Sequence, residues 1–145
     1  VRCSLSEHIF KREVFLRYGF KGYPLAWHSD DYAWLDFAEG KPIYCINEAI
    51  VNILISSESV TGNRKNLILK NLAEAHFFMD LIQNKLHLFT KTQRLELVYQ
   101  AEVSVKKTKN LSYLQWIALG KGYIYNFSFI PIAKFIRRIV MQILK

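Results

Sequence analysis

Apolar residues return every three or four positions through most of the second half of the chain, and that spacing predicts helices. Ile68, Leu72, Ala75, Met79, Ile82 and Leu86 form one such row, the core stripe of a long helix over 64–84. Leu88-Phe89-Thr90 interrupts the row. Thr90 is placed to cap a second helix over 91–107, built on Leu95, Val98, Ala101 and Val105. The charged run 106–110 reads as a connector. A short helix over 111–119 comes next and stops at Gly120-Lys121-Gly122. The aromatic stretch 123–129 leads to Pro131, in the first turn of a last helix. That helix carries Ile132, Ile136, Ile139, Val140 and Ile143 on one face and Lys134, Arg137, Arg138 and Lys145 on the opposite one. Such a helix suits a membrane surface, and equally a packing helix with a solvated basic side.

The first half is patterned less regularly. Residues 1–10 alternate roughly and predict a short strand. Val14, Phe15 and Tyr18 give a short helix over 11–18, with Gly19 as its stop. Gly22 and Pro24 make 20–25 a loop. A helix over 32–39 succeeds it, with Tyr32, Leu35, Asp36 and Glu39 at i, i+3, i+4 and i+7, and Gly40-Lys41-Pro42 breaks it. The β-rich runs 43–46 and 49–55, separated by Asn47-Glu48, predict two short strands around a turn. Residues 56–63 form a polar loop, with Thr61 or Asn63 capping the long helix over 64–84.

Composition narrows the classes. The 145 residues are 51% hydrophobic, enough for a buried core, and carry a formal charge of +8. That charge suits an anionic partner or a lysine-rich surface. Basic residues are not gathered with Asn and Gln on one helix face, which argues against nucleic acid. Two separate cysteines, Cys3 and Cys45, fit a reducing compartment and make no zinc site. No apolar run reaches bilayer-spanning length. Phosphate-loop, dinucleotide, metalloprotease and serine-hydrolase motifs are missing. The chain enters patterned sequence at Val1 and is expected to be a piece of a longer protein.

The stretch with candidate chemistry is Trp27-His28-Ser29-Asp30-Asp31-Tyr32. Two carboxylates at a helix start are favoured by its unpaired N–H groups and dipole. They suit an N-cap on Ser29 or Asp30, and also acid–base work. The ordered set around them covers about residues 9–61. It comprises Ile9-Phe10-Lys11-Arg12-Glu13-Val14-Phe15, Tyr18-Gly19-Phe20, Ser29-Asp30-Asp31-Tyr32 and Gly40-Lys41-Pro42-Ile43-Tyr44. This set resembles the second half of a family 2 glycosyltransferase of GT-A fold.

The resemblance implies a mainly α chain with a few short β-strands. Residues 1–61 would be the acceptor-side segment of the α/β catalytic domain and 62–145 a C-terminal helical region. It implies inverting transfer of a sugar from a nucleotide-sugar donor to a glycan or lipid-linked acceptor, in surface polysaccharide synthesis. Asp31 would be the general base and Asp30 would position it. Beside them, Trp27 offers a sugar-stacking face, His28 a hydrogen bond to a hydroxyl, and Ser29 completes the substrate-binding set; core packing accounts for Trp27 equally well. The family holds Mg or Mn through an Asp-x-Asp motif in the preceding half. This sequence has no Asp-x-Asp, so the expectation is that it binds no metal and is inactive alone. Leu54 and Ser56 stand where the family often has Arg and His near the diphosphate, with Arg64 or Lys65 as substitutes. A cytoplasmic enzyme, peripheral at the inner face of the membrane through residues 131–145, completes the expectation. Against it stands a non-catalytic helical module that binds a partner protein or an anionic surface.

Overall fold

The periodic rows fold as helices in the computed structural model, which describes residues 8–52, 60, 64–108 and 112–144. Among these described residues six α-helices occur in order: α1 (Arg12–Tyr18), α2 (Ser29–Phe37), α3 (Leu67–Asn84), α4 (Lys91–Lys107), α5 (Tyr113–Tyr125) and α6 (Phe129–Ile143). Short 3₁₀ turns cover Pro24–Ala26, Arg64–Asn66 and Leu86–Leu88. The chain forms two compact units, Val1–Ala73 and Glu74–Lys145, and the boundary falls inside α3.

The expectation of a few short strands, and with it a GT-A α/β fragment, is corrected. Among the described residues there is no strand. Residues 8–10, 43–46 and 49–52 are irregular, and Tyr44 and Ile50 are 87% and 86% exposed. β-rich composition alone does not hold a strand. A two-stranded pair needs a third strand or a helix against one face, and these exposed side chains have neither. The parts of those runs in 1–7 and 53–55 lie outside the described residues, as do Leu54, Ser56, the caps Thr61 and Asn63, and Cys3.

In the first unit, rings do most of the packing. Phe10 lies 4.9 Å from Phe37 and 6.0 Å from Phe20 between centroids, and Phe15 and Trp34 join them. Helix α1 is only seven residues long, too short to stand alone. Its Arg17 pairs with Glu39 just beyond α2, and the Tyr18 hydroxyl donates to the same carboxylate at 3.4 Å. Gly19 ends α1 at φ 62°, ψ −170°, a region open essentially to glycine.

The second unit is a helical bundle with a continuous apolar core. Ala75, Met79, Ile82 and Leu86 meet Val98, Ala101 and Val105 of α4, Leu119 and Tyr123 of α5, and Phe135 of α6. Thr90 and Ser112 each form a capping box, with Gln93 and Gln115, satisfying the first N–H groups of α4 and α5. Helix α5 does not stop at Gly120-Lys121-Gly122 but runs through to Tyr125. Tertiary packing overrides propensity here. A Cβ on Gly122 would lie 2.8 Å from Val98 Cγ2, so the glycine is what lets α4 and α5 approach. Helix α6 starts two residues before Pro131, whose missing N–H costs nothing in a first turn.

The charge pattern of α6 also differs from expectation. Arg138 does not join a solvated basic face. It turns onto Glu102 of α4, a carboxylate only 1% exposed. Lys106 Nζ and the Tyr123 hydroxyl donate to the same carboxylate at 2.7 and 2.9 Å. Burial alone would raise the Glu102 pKa, but these three donors outweigh it and hold the group below the usual carboxylate range. Burial and the neighbouring Glu102 charge push the Tyr123 phenol up. The pair raises the Arg138 pKa in turn, chiefly through its hydrogen bonds to Glu102.

Candidate active site at the start of α2

The loop before α2 sets the site. Leu25, Ala26 and His28 all have left-handed backbones, with φ of 58°, 52° and 68°. For side chains with a Cβ this conformation costs about 1–2 kcal/mol each. Such strain collects at sites where geometry is imposed for a purpose. Two bonds hold the turn: Ala26 N–H to Tyr23 O at 2.9 Å and Trp27 N–H to Pro24 O at 3.1 Å. Ser29, 4% exposed, ties the helix start back to the loop, its hydroxyl donating to Lys21 O at 2.6 Å. Tyr32 and Ala33 beneath it are buried.

His28, rather than Ser29 or Asp30, is the N-cap residue of α2, and it makes no side-chain cap bond. Asp30 and Asp31 stand in the first helical turn, where the dipole favours negative charge. The left-handed backbone at His28 and the three-residue spacing bring its ring onto Asp31. Nδ1 lies 2.7 Å from Asp31 Oδ2. Both side chains keep partial access to solvent, 18% for His28 and 28% for Asp31. A carboxylate held on one ring nitrogen fixes the imidazole's orientation, as in an acid–base couple.

Trp27 meets His28 edge to face, with centroids 5.7 Å apart. Lys70 of α3 stands over the indole with Nζ 5.0 Å from its centroid, so one ring face carries a cation. All five residues expected at the site, Trp27, His28, Ser29, Asp30 and Asp31, lie on one loop–helix junction. Ser29 spends its hydroxyl on the backbone, which gives it a structural task. Lys70 is the residue that sequence reasoning missed. It lies more than forty positions downstream in a helix with no local sign of a site.

Among the described residues, no group of three or more His, Cys, Asp or Glu is arranged to hold a metal ion. Adjacent positions on a helix are about 100° apart, so Asp30 and Asp31 do not converge on one point. No helix among the described residues is long and apolar enough to cross a membrane. Comparison with family models, curated proteins and solved structures finds no match to this chain.

Proposed function

We propose that this chain supplies the acceptor side of a nucleotide-sugar-dependent transferase, with His28 and Asp31 as its acid–base couple. The observation that carries the reading is the 2.7 Å contact between His28 Nδ1 and Asp31 Oδ2 on a strained turn, beside the Trp27 ring. The role given to Asp31 and the class of reaction are taken from the resemblance of the ordered motifs to family 2 glycosyltransferases. In this reading the acceptor hydroxyl loses its proton to Asp31, steadied by His28, as its oxygen attacks the anomeric carbon. The bond to the nucleoside diphosphate breaks on the opposite face, and the configuration inverts. Trp27 stacks on the acceptor sugar and Lys70 favours an anionic substituent beside it. The donor site and its divalent metal belong to sequence outside this chain; the carboxylates here do not fit a metal, and no step on these residues runs through one. The working location is the cytoplasm.

The test is made on the full-length protein that contains this chain. Asp31→Asn is expected to lower sugar transfer by about 10²–10⁴-fold while the protein stays folded. Unchanged transfer in a folded Asp31→Asn protein would falsify the proposal. The 145-residue chain alone is expected neither to transfer nor to hydrolyse the donor.

One observation favours a second reading, a non-catalytic module: the Ser29 hydroxyl already serves the backbone at 2.6 Å, as in a purely structural turn. Under that reading Asp31→Asn changes stability slightly and transfer not at all.

A further inference from the structure

Charge is divided unevenly along this chain. Residues 1–102 hold twelve Lys or Arg and twelve Asp or Glu. Residues 103–145 hold eight Lys or Arg and no acid, so the whole formal charge of +8 sits there. Lys106 and Arg138 serve Glu102, and Lys107 pairs with Glu74. Lys121, Lys134 and Arg137 face solvent.

Helix α6 adds a second, independent feature. It packs through Phe135, with Ile132 and Ile139 beside it. Phe129, Ile136 and Val140, spaced at i, i+7 and i+11, make a stripe turned away from Phe135. They are 85%, 54% and 48% exposed. Ile130 and Met141 flank that stripe in line with Arg137, and both are exposed. Phe127, on the turn before the helix, is 87% exposed. An apolar strip of this length, about 17 Å from Phe129 to Val140, is the kind of exposed surface that marks an interaction site. The structure therefore divides the aliphatic face foreseen in the sequence: one edge serves the bundle and the other lies open.

We infer that this open face of α6 seats the protein on an anionic lipid bilayer. Phe127, Phe129, Ile136 and Val140 enter the acyl boundary, and Lys134 and Arg137 meet headgroup phosphates and carboxylates. The cations choose the occupant. A second copy of this chain packed through the same face of α6 would set like charges against each other, because residues 103–145 offer no acid to receive them. A bilayer with anionic headgroups supplies both the apolar layer and the opposite charge. The inference stands apart from the sugar-transfer reading, since it uses none of the residues at the start of α2.

The experiment is vesicle flotation of the intact chain. Vesicles of phosphatidylcholine alone are compared with vesicles containing about 30% phosphatidylserine, each at about 0.05 and 0.5 M salt. Flotation is expected with the anionic vesicles at low salt, with a loss of tenfold or more at high salt. Ile136→Asp is expected to abolish it. Lys134→Gln with Arg137→Gln leaves every apolar contact in place and is expected to weaken binding about twenty-fold, near fivefold per cation. Circular dichroism verifies that the variants are folded. No flotation with anionic vesicles, equal binding to both vesicle types, or a self-association that Ile136→Asp abolishes without any lipid binding would each overturn the inference.

Discussion

Arg138 grips Glu102 through two parallel hydrogen bonds, Nε to Oε1 at 2.6 Å and a terminal nitrogen to Oε2 at 2.7 Å. Planar bidentate pairing is the strongest form of this ion pair, and here it joins α6 to α4. Burying a carboxylate is costly unless its partners are complete. At Glu102 they are, because Lys106 and Tyr123 take the remaining lone-pair directions.

Glu102→Gln is expected to destabilise the second unit by about 2–4 kcal/mol. Breaking one side of a buried pair usually costs about 3–5 kcal/mol, but Arg138 keeps partial access to water and recovers some solvation. Urea unfolding of the purified chain measures it. A midpoint unchanged from wild type would mean that α6 is held by its apolar contacts alone.

The same carboxylate predicts a response to acid. Its folded pKa lies below the ordinary value of 4.5. The folded state therefore binds fewer protons than the unfolded one below that value. The stability contributed by the ionised form is fully present above about pH 4.5 and is lost as the pH falls through the folded pKa. Thermal unfolding of wild type and Glu102→Gln is expected to diverge at neutral pH and to converge in strong acid.

Gly122→Ala is expected to destabilise the bundle by about 1–3 kcal/mol, because the new methyl meets the β-branched, fully buried Val98. In a Val98→Ala background the clash is gone. There the same change is expected to be neutral or favourable, since alanine is the better helix former by about 1 kcal/mol. A double-mutant cycle in denaturant reads the sign reversal.

Gly19→Ala is expected to cost about 1–3 kcal/mol in the first unit through backbone conformation alone. Open space surrounds its Cβ position, so the cost reports φ 62° rather than crowding. Loosening of α1 would show as faster amide exchange at Phe15 and Tyr18, with the second unit unaffected. Protection that matches wild type would argue that Gly19 is not held in this conformation.

Part of this was legible beforehand. The rows through Met79 and Val98 foretold α3 and α4, and Thr90 foretold the cap of α4, because periodicity and capping depend on residues within four positions of each other. The 43–46 run misled, since β propensity measures fit to a neighbouring strand that the described residues do not provide. Gly120 and Gly122 misled in the opposite direction: the residues that weaken an isolated helix are the ones its packing against Val98 requires. At the candidate site, the residue types and their order were readable. The His28–Asp31 contact was not, because it depends on a left-handed backbone at His28 that the loop before it imposes.

By itself, the sequence determined the helical periods, the Thr90 cap of α4, the concentration of positive charge after Glu102 and the placing of an acidic pair at a helix start. Each rests on local spacing or on a count. Tertiary structure decided which of those residues meet. It drew Arg138 out of an expected solvent-facing basic row and onto Glu102, set Lys70 over Trp27, turned His28 onto Asp31 and left one edge of α6 open. The physical reason is that these partners are brought together by the strain of a turn or by the closest approach of two helices. Neither is encoded in the identity of any one short stretch of chain.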